Sequence, residues 1–199
     1  ASNGALLTKT GASPGDQLIL TKPLGTGVLF AGHMQLAADG RDVSAGISSM
    51  LQGNGAAAEL ALAHGATACT DITGFGLLGH LLEMLAQEHA ARLDLSALPL
   101  LNGAIEQIRA GTVSTMHASN VRANEPFLEC TASVNEARRQ MLFDPQTSGG
   151  LLIAIPARCA LALCEALQSS GYTEARIMGE VVALNPKSTA LVQLHPSLQ

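Results

Sequence analysis

The chain has 199 residues, a formal net charge of −5 and a hydrophobic fraction of 47%. This length suits one domain with a substantial core, and the hydrophobic fraction excludes a disordered chain. The negative charge argues against a general nucleic-acid binder, but it is compatible with ATP, whose phosphates are handled locally by metal ions and backbone groups. No run of 18 apolar residues is present, so we expect no membrane span.

The cysteines are spread along the chain as Cys69, Cys130, Cys159 and Cys164. Their spacing contains neither a Cys-x-x-Cys pair nor a zinc-ligand pattern, so we interpret all of them as free thiols of a cytosolic protein. Cys69 lies in an apolar stretch, which predicts a buried thiol rather than a nucleophile. The polar N-terminus does not resemble a signal peptide. The expected location is therefore the cytoplasm.

The first elements are a linker and a short strand. Residues 1–13, rich in Gly, Ser, Thr and Ala, are expected to be a linker remnant, and residues 14–199 a single domain. Leu18–Thr21 is typical of a buried strand, which Pro23 ends because proline cannot continue a central ladder. Lys22 has two interpretations: it approaches a phosphate, or it is an ordinary surface charge, and we favour the surface charge.

The remaining elements follow in chain order: helix Val28–Ala38, a helical stretch Val43–His64 that relaxes near Gly53 and Gly55, helix Leu77–His89, strand Ala91–Leu95, helix Leu101–Arg109, strand Phe127–Thr131, helix Glu136–Leu142, strand Leu151–Ile155, helix Ala157–Ser169, and strands Ala175–Ala183 and Ala190–Leu194. A turn at 185–188 joins the last two strands into an expected terminal hairpin. This order predicts an α/β (α+β) fold in which helices cover a mixed sheet.

Residues 112–125 are the hardest segment to interpret. They contain Ser, Thr, Asn, His117 and Arg122 with little hydrophobic periodicity. We expect a solvated loop, in which His117 and Arg122 are weak functional candidates.

The chemistry is concentrated between residues 66 and 80. A small apolar run ends at Asp71 and Thr73, and glycines then lead into a leucine-rich helix. The free N–H groups and the positive dipole at a helix N-terminus favour anions. A carboxylate such as that of Asp71 is the hard oxygen ligand that Mg²⁺ prefers. The stretch therefore offers a place for a metal ion and phosphate oxygens.

Two other interpretations of this stretch remain open. Its glycines form a literal Gly-x-Gly-x-x-Gly, and Asp94 follows Gly74 by 20 residues at the end of the next predicted strand, as in a dinucleotide-binding fingerprint. That fingerprint requires an apolar strand running almost to its first glycine, whereas polar residues intervene here. Alternatively, Asp71 or Thr73 merely caps the helix and the glycines form a turn.

A second glycine-rich segment lies at 144–150, with the sequence DPQTSGG. Proline keeps the preceding residue out of the helical region, and Gly149 and Gly150 permit positive φ. The segment can present hydroxyl and N–H groups of Thr147 and Ser148 to a phosphate. Equally, it is a tight entry into the strand that follows.

Three segments resemble the selenophosphate synthetase (selenide, water dikinase) family. They are DITGFGLLGH at 71–80, GDQLILTKPLGTG at 15–27 and DPQTSGGLL at 144–152. Related ATP-binding enzymes, such as aminoimidazole ribonucleotide synthetase and thiamine-phosphate kinase, have looser versions of the first motif. The resemblance covers most of the chain, but only the C-terminal domain of that family. We expect its catalytic N-terminal domain, with the reactive Cys or selenocysteine, to be absent from this chain.

The resemblance implies the mixed-sheet fold of the C-terminal domain of aminoimidazole ribonucleotide synthetase. It also implies part of an enzyme that converts selenide, ATP and water into selenophosphate, AMP and phosphate. Asp71 would contribute one Mg²⁺ ligand, and no catalytic residue lies in this fragment. The phosphate-side residues would be Thr73, Gly74, Gly76, Thr147, Ser148, Gly149 and Gly150. His80 is expected to be structural, and Asn54 resembles an Asn found at the same place in the family.

The partners implied are ATP, selenide and an N-terminal domain of the same polypeptide, with a homodimer at full length. No nucleic acid and no membrane are expected. The fragment alone would be inactive. The rival functions are a stand-alone dinucleotide-binding domain and a non-catalytic interaction subunit of the same fold.

Overall fold

A computed structural model describes residues 7–130 and 133–195 of the chain. The strands in this part are β1 Asp16–Leu20, β2 Ala68–Asp71, β3 His89–Asp94, β4 Leu128–Cys130, β5 Leu151–Pro156, β6 Arg176–Ala183 and β7 Val192–His195. They form one sheet in the order β2-β5-β1-β6-β3-β7-β4. Strand β7 runs parallel to β3 and β4, and the other neighbours are antiparallel.

The α-helices in the described part are α1 Thr26–Met34, α2 Gly40–Leu51, α3 Gly55–Ala63, α4 Gly76–Leu85, α5 Ala104–Arg109, α6 His117–Asn124, α7 Glu136–Gln140 and α8 Ala157–Ser169. Short 3-10 turns cover Leu95–Ala97, Glu125–Phe127 and Met141–Phe143. The predicted α/β fold with a mixed sheet and covering helices is confirmed. Among the described residues, no helix combines the length and the apolarity needed to cross a membrane.

The centre of the sheet is buried on both faces. Along β1, Leu18 and Leu20 join the core beneath α1 and α4, whereas Ile19 joins the second core beneath α3 and α8. Successive side chains of a strand point to opposite faces, so a strand covered on both sides becomes a continuous apolar run. This explains why β1 and β5 were recognisable from sequence without any alternation of polar residues.

Helix α4 has the predicted apolar face but is shorter than expected. Leu77, Leu81 and Leu85 are fully buried, as their spacing predicts. The backbone then turns left-handed at Ala86 and Gln87, with φ values of 51° and 62°, and the next strand begins at His89. The predicted end at His89 was therefore wrong, because neither residue at the turn is a glycine that would signal it.

The predicted terminal hairpin was also wrong. Strand β3 lies between β6 and β7, pairing antiparallel with the first and parallel with the second. A hairpin requires adjacent strands, and periodicity within each strand carries no information about which neighbour it selects.

Residues 112–125 are not the solvated loop that we expected. They contain α6, whose His117 and Asn120 are buried while Arg122 is exposed. The ring of His117 is 2.8 Å from Gln140 Oε1 through Nε2. Asn120 Nδ2 donates to the carbonyl oxygens of Gly74 and Phe143 at 2.9 and 3.0 Å. Buried polar side chains with partners replace the apolar face that periodicity would have detected.

The segment before β1 packs against the domain over residues 7–13. Ala12 is buried, and Cys69 N donates to Thr8 O at 2.9 Å along the outer side of β2. Residues 1–6 of the expected linker remnant, and Thr131 of the expected strand Phe127–Thr131, lie outside the described residues.

Candidate active site

The two glycine-rich segments meet at the end of β2. Strand β2 pairs with β5 so that Asp71 lies opposite Leu151, which brings the residues after β2 beside those before β5. Ile72 N donates to Gly150 O at 2.9 Å, and Gln146 N donates to Thr73 O at 3.0 Å. Segments about 75 residues apart in sequence thus form one surface.

The turn after β1 joins the same surface through Gln146. Its Oε1 accepts from Gly25 N at 3.0 Å, Thr26 N at 3.2 Å and Thr26 Oγ1 at 3.1 Å. Thr147 N in turn donates to Thr26 Oγ1 at 2.9 Å. A side chain from the second glycine segment therefore caps the N-terminus of α1. Sequence reasoning missed Thr26 and Gln146, because their contact joins positions far apart in the chain.

Asp144 lies beneath this junction and is fully buried. Burial raises the pKa of its carboxyl to about 7, and the nearby amide of Gln146 and the nearby N–H groups of Val28 and Gly27 lower the pKa by less. Gln146 Nε2 is 2.9 Å from Oδ2, while Oδ1 has no partner within hydrogen-bond geometry. A Cβ on Gly27 would approach Oδ1 to 2.4 Å, so this position requires glycine.

Lys22 is not the surface charge that we favoured. Its side chain is 2% exposed, and Nζ donates to the carbonyl oxygens of Ser49, Gln52 and Ser148 at 3.2, 2.6 and 3.0 Å. Burial lowers the pKa of the ammonium group. The expectation was wrong because lysine is usually exposed at the surface. Here the residue follows a central strand, and its side chain points into the domain.

The paired glycines permit a close approach of three backbone segments. A Cβ on Gly149 would lie 2.2 Å from Ile72 O, and one on Gly150 would lie 2.6 Å from Lys22 N. Ser148, next to them, has a left-handed backbone with φ +47°. The side chains of Thr147 and Ser148 are exposed at this surface. The loop is thus held tightly by its backbone while its hydroxyl groups face outward.

Asp71 is exposed at the end of the edge strand β2. Within residues 7–130 and 133–195, its carboxylate forms no hydrogen bond or ion pair, and no group of three or more His, Cys, Asp or Glu side chains is placed to hold a metal ion. Asp71 therefore offers one oxygen ligand to a site that other groups would have to complete. Cys69 is partly buried. Its burial, and to a smaller extent the negative charge of Asp71, raises the pKa of its thiol to about 11, as expected for an unreactive cysteine.

His80 organises the turn that follows Asp71. Its Nε2 accepts from Thr73 N at 3.1 Å and lies 3.1 Å from Thr73 Oγ1. The remaining ring nitrogen, Nδ1, is 3.4 Å from Glu83 Oε2, an ion-pair distance without hydrogen-bond geometry. These contacts agree with a structural role for His80.

The glycines of the turn differ in their surroundings. Gly76 has φ +71°, a Cβ there would lie 2.9 Å from Leu142 O, and its N–H donates to Thr73 O at 3.1 Å. Its N–H is thus occupied within the turn. Gly74 instead lines a groove of about 430 Å³ beside the second glycine segment. The groove walls include Thr26, Phe30, Met34, Met116, Gln146 and Thr147.

The geometry of a dinucleotide fingerprint is not formed. Strands β5, β1 and β6 separate β2 from β3, whereas the fingerprint requires neighbouring parallel strands. Asp94 Oδ1 instead accepts from Ser96 N and Ala97 N at 2.8 and 3.3 Å, capping a 3-10 turn.

The chain is similar in sequence to curated proteins named selenide, water dikinase. Selenide, water dikinase of Clostridioides difficile (strain 630) is 35% identical over 187 residues, covering 94% of this chain and 54% of the relative. Selenide, water dikinase of Trichlorobacter lovleyi (strain ATCC BAA-1151 / DSM 17278 / SZ) is 42% identical over 169 residues, covering 83% and 48%. The chain spans about half the length of the curated relatives it matches.

Solved structures show the same fold at low identity. Thiamine-monophosphate kinase from Stenotrophomonas maltophilia K279a has a TM-score of 0.64 at 17% identity, over 99% of this chain and 55% of that one. The hydrogenase maturation protein HypE in complex with ATP has a TM-score of 0.62 at 16% identity, over 94% and 49%. The family described as "AIR synthase related protein, C-terminal domain" matches residues 13–189. The chain belongs to this family.

Proposed function

We propose that this chain is the C-terminal domain, residues 14–199, of a selenide, water dikinase and that it contributes part of the Mg-ATP site. The observation that carries the proposal is that Ile72 and Thr73, which follow Asp71 at the end of β2, bond to the segment 146–150. The curated relatives named selenide, water dikinase support the reaction, and their length supports a further domain in the same polypeptide.

Each residue has a proposed part that its surroundings support. Asp71 provides one Mg²⁺ ligand, because its carboxylate is exposed and not engaged in a hydrogen bond or ion pair within the described part of the chain. The exposed hydroxyl groups of Thr147 and Ser148 are directed to phosphate oxygens. Gly149 and Gly150 serve the phosphate side by letting the loop pack against Ile72 O and Lys22 N, which holds its backbone beside these hydroxyl groups.

The residues after β2 complete the phosphate side. Thr73 and Gly74 shape it, and Gly74 opens onto the groove described above. Gly76 acts through the shape of the turn, because its own N–H is already donated to Thr73 O. We assign no catalytic residue to this fragment.

The reaction proposed is selenide, ATP and water to selenophosphate, AMP and phosphate. Bound Mg²⁺ would supply neutralisation of charge on the triphosphate. The chain's own contribution is to hold phosphate oxygens in one orientation with hydroxyl and backbone donors that are already positioned. The nucleophile and the other metal ligands would come from the N-terminal domain, so the fragment alone is expected to be inactive. The full-length protein is proposed to be a cytoplasmic homodimer.

The test is Asp71→Asn in the complete gene product, assayed for selenide-dependent ATP turnover at limiting Mg²⁺. We expect turnover to fall by roughly 100-fold and to recover partly at high Mg²⁺, because an amide is a weaker ligand for this ion than a carboxylate. The matched control is Glu59→Gln, which removes one negative charge from the exposed face of α3.

Wild-type turnover of Asp71→Asn at limiting Mg²⁺ would exclude the metal-ligand assignment. The non-catalytic interaction subunit would instead be favoured by two results together. The wild-type protein would show no selenide-dependent turnover, and Asp71→Asn would change only the stability of the protein. A stand-alone dinucleotide-binding domain would bind NAD without Mg²⁺, and an NAD titration checks this separately.

A further inference from the structure

The side chain of Lys22 connects the second glycine segment to the end of α2. Its Nζ reaches the carbonyl oxygens of Ser49 and Gln52, which belong to the last turn and C-cap of that helix, and the carbonyl oxygen of Ser148. An ammonium group has three N–H donors, so these contacts use all of them. Among the described residues, no carboxylate forms an ion pair with Lys22.

A buried cation with only carbonyl partners is unusual because its desolvation is costly. The negative end of the α2 dipole and the carbonyl oxygens partly compensate the charge. The ammonium group of Lys22 lies 3.0 Å from Ser148 O, in the segment that the proposed function assigns to phosphate. A positive charge at this position attracts the negatively charged oxygens of a triphosphate.

A second side chain holds the next peptide unit of the segment. Asn54, at the start of α3, donates through Nδ2 to Gly149 O at 2.9 Å. Its Oδ1 is buried without a partner, so the amide is held in place by this one bond. Lys22 and Asn54 therefore bind consecutive carbonyl groups, those of Ser148 and Gly149, from the α2–α3 side.

Binding of the two carbonyls determines where the corresponding N–H groups point. In a trans peptide unit the C=O and N–H bonds are antiparallel, and the described residues contain no cis peptide. With Ser148 O directed at Lys22, Gly149 N–H is directed away from it. With Gly149 O directed at Asn54, Gly150 N–H is likewise directed away. Both glycines are buried, yet within the described residues neither N–H donates a hydrogen bond, so each has donor capacity that a bound oxygen would satisfy.

We propose that Lys22 and Asn54 are positioning residues that orient the Ser148–Gly149 and Gly149–Gly150 peptide units, so that the N–H groups of Gly149 and Gly150 are presented to the phosphate oxygens of ATP. This inference rests on the proposed function. The residues after β1 and at the α2–α3 junction then have a role in nucleotide binding in addition to their role in packing. Neither residue needs to touch the nucleotide for this role.

The experiment uses the complete gene product with Lys22→Met, Asn54→Asp and a matched control. Lys22→Met keeps the length of the side chain and removes its donors. Asn54→Asp keeps the size and replaces the donor to Gly149 O with an oxygen that repels it. The control is Tyr172→Phe, because Tyr172 OH donates to Gly53 O at 2.7 Å and accepts from Ala57 N at 3.2 Å. It loosens the same junction without contacting the glycine segment.

Two measurements are made on each variant. One is kcat/KM for ATP in selenide-dependent turnover, where we expect Lys22→Met and Asn54→Asp to lose roughly 100-fold and Tyr172→Phe to stay near wild type. The other is amide hydrogen exchange over residues 146–152 without nucleotide, where we expect faster exchange in the first two variants alone. Asn54→Asp, at a half-buried position, serves as the test if Lys22→Met does not fold.

Exchange that is unchanged in Lys22→Met and Asn54→Asp, or that rises equally in Tyr172→Phe, would overturn the positioning role. So would kcat/KM values in those variants that match the control. If wild-type protein shows no selenide-dependent turnover, the proposed function fails, and faster exchange confined to Lys22→Met and Asn54→Asp would then establish the orientation of the loop without its assigned ligand.

Discussion

Replacing Asp144 with Asn should change how the stability of the domain depends on pH. The Asp144 carboxyl is fully buried, and burial raises its pKa from 3.8 to about 7. The unfolded chain exposes this carboxyl to water, where its pKa returns to the ordinary value. The folded state therefore binds a proton that the unfolded state releases across the whole interval between the two pKa values.

The sign and size of the effect follow from this difference. Between about pH 4 and pH 7 the folded state holds more protons than the unfolded state, so the unfolding free energy falls as pH rises. Each pKa unit corresponds to about 1.4 kcal/mol, so the rise of the pKa from 3.8 to about 7 contributes roughly 4 kcal/mol. The stabilisation is fully present below about pH 4, is lost as pH rises towards 7, and changes little above that.

The assay is urea unfolding of wild-type protein and Asp144→Asn at several pH values from about 4 to about 8. The amide that replaces the carboxyl does not titrate, so the wild-type unfolding free energy minus that of the variant should fall by roughly 4 kcal/mol across this range. The matched control is Glu59→Gln, which removes a carboxyl from an exposed position, and the pH dependence of the Asp144→Asn difference should exceed that of this control. A difference for Asp144→Asn that varies with pH no more than that of the control would refute the proposed protonation of the buried carboxyl.

Two further results are expected. Gly149→Ala should lower the unfolding free energy by about 3 kcal/mol in urea unfolding, because the added Cβ would lie 2.2 Å from the rigid Ile72 O, whereas Gly55→Ala, with open space around its Cβ, should have little effect. Iodoacetamide at neutral pH should label the exposed Cys130 and leave Cys69 unmodified, because the pKa of the Cys69 thiol is raised to about 11. Labelling of both thiols at equal rates, followed by mass spectrometry of the peptides, would contradict the second expectation.

Elements with one dominant signal could be predicted from sequence. Helix α8 has the bounds expected, Ala157–Ser169, because its apolar face repeats with the helical period and a proline precedes it. Strand β5 was placed within one residue, since a continuous apolar run between Gly150 and Pro156 has few other interpretations. The bounds of such elements can be predicted because their conformation is decided by neighbouring residues in the sequence.

The features that were predicted wrongly depend on contacts between residues that are far apart in the sequence. Whether β6 pairs with β7 or β3 is decided by the packing of the whole sheet. The burial of Lys22 depends on carbonyl groups from α2 and from the second glycine segment. The polar face of α6 has partners in Gly74 and Phe143, so no apolar repeat marks it.

The candidate site was predicted in part. Both glycine-rich segments were identified from their residue types, but their meeting at the end of β2 depends on a strand register that connects residues about 80 positions apart. The contribution of Gln146 and Asp144, which hold α1 against this junction, had no signal in the sequence beyond the motif that contains them.

Strand β2 lies at one edge of the sheet, and the chain itself covers part of that edge. Cys69 N is paired with Thr8 O, and a Cβ on Gly11 would approach Thr67 O to 2.6 Å, so the preceding segment lies flush against the strand. An uncovered edge is a template on which a second chain can add a strand and begin an aggregate. Coverage by residues 7–13 thus protects this edge of the sheet from edge-to-edge association, while the carboxylate of Asp71, at the end of the same strand, stays accessible to solvent.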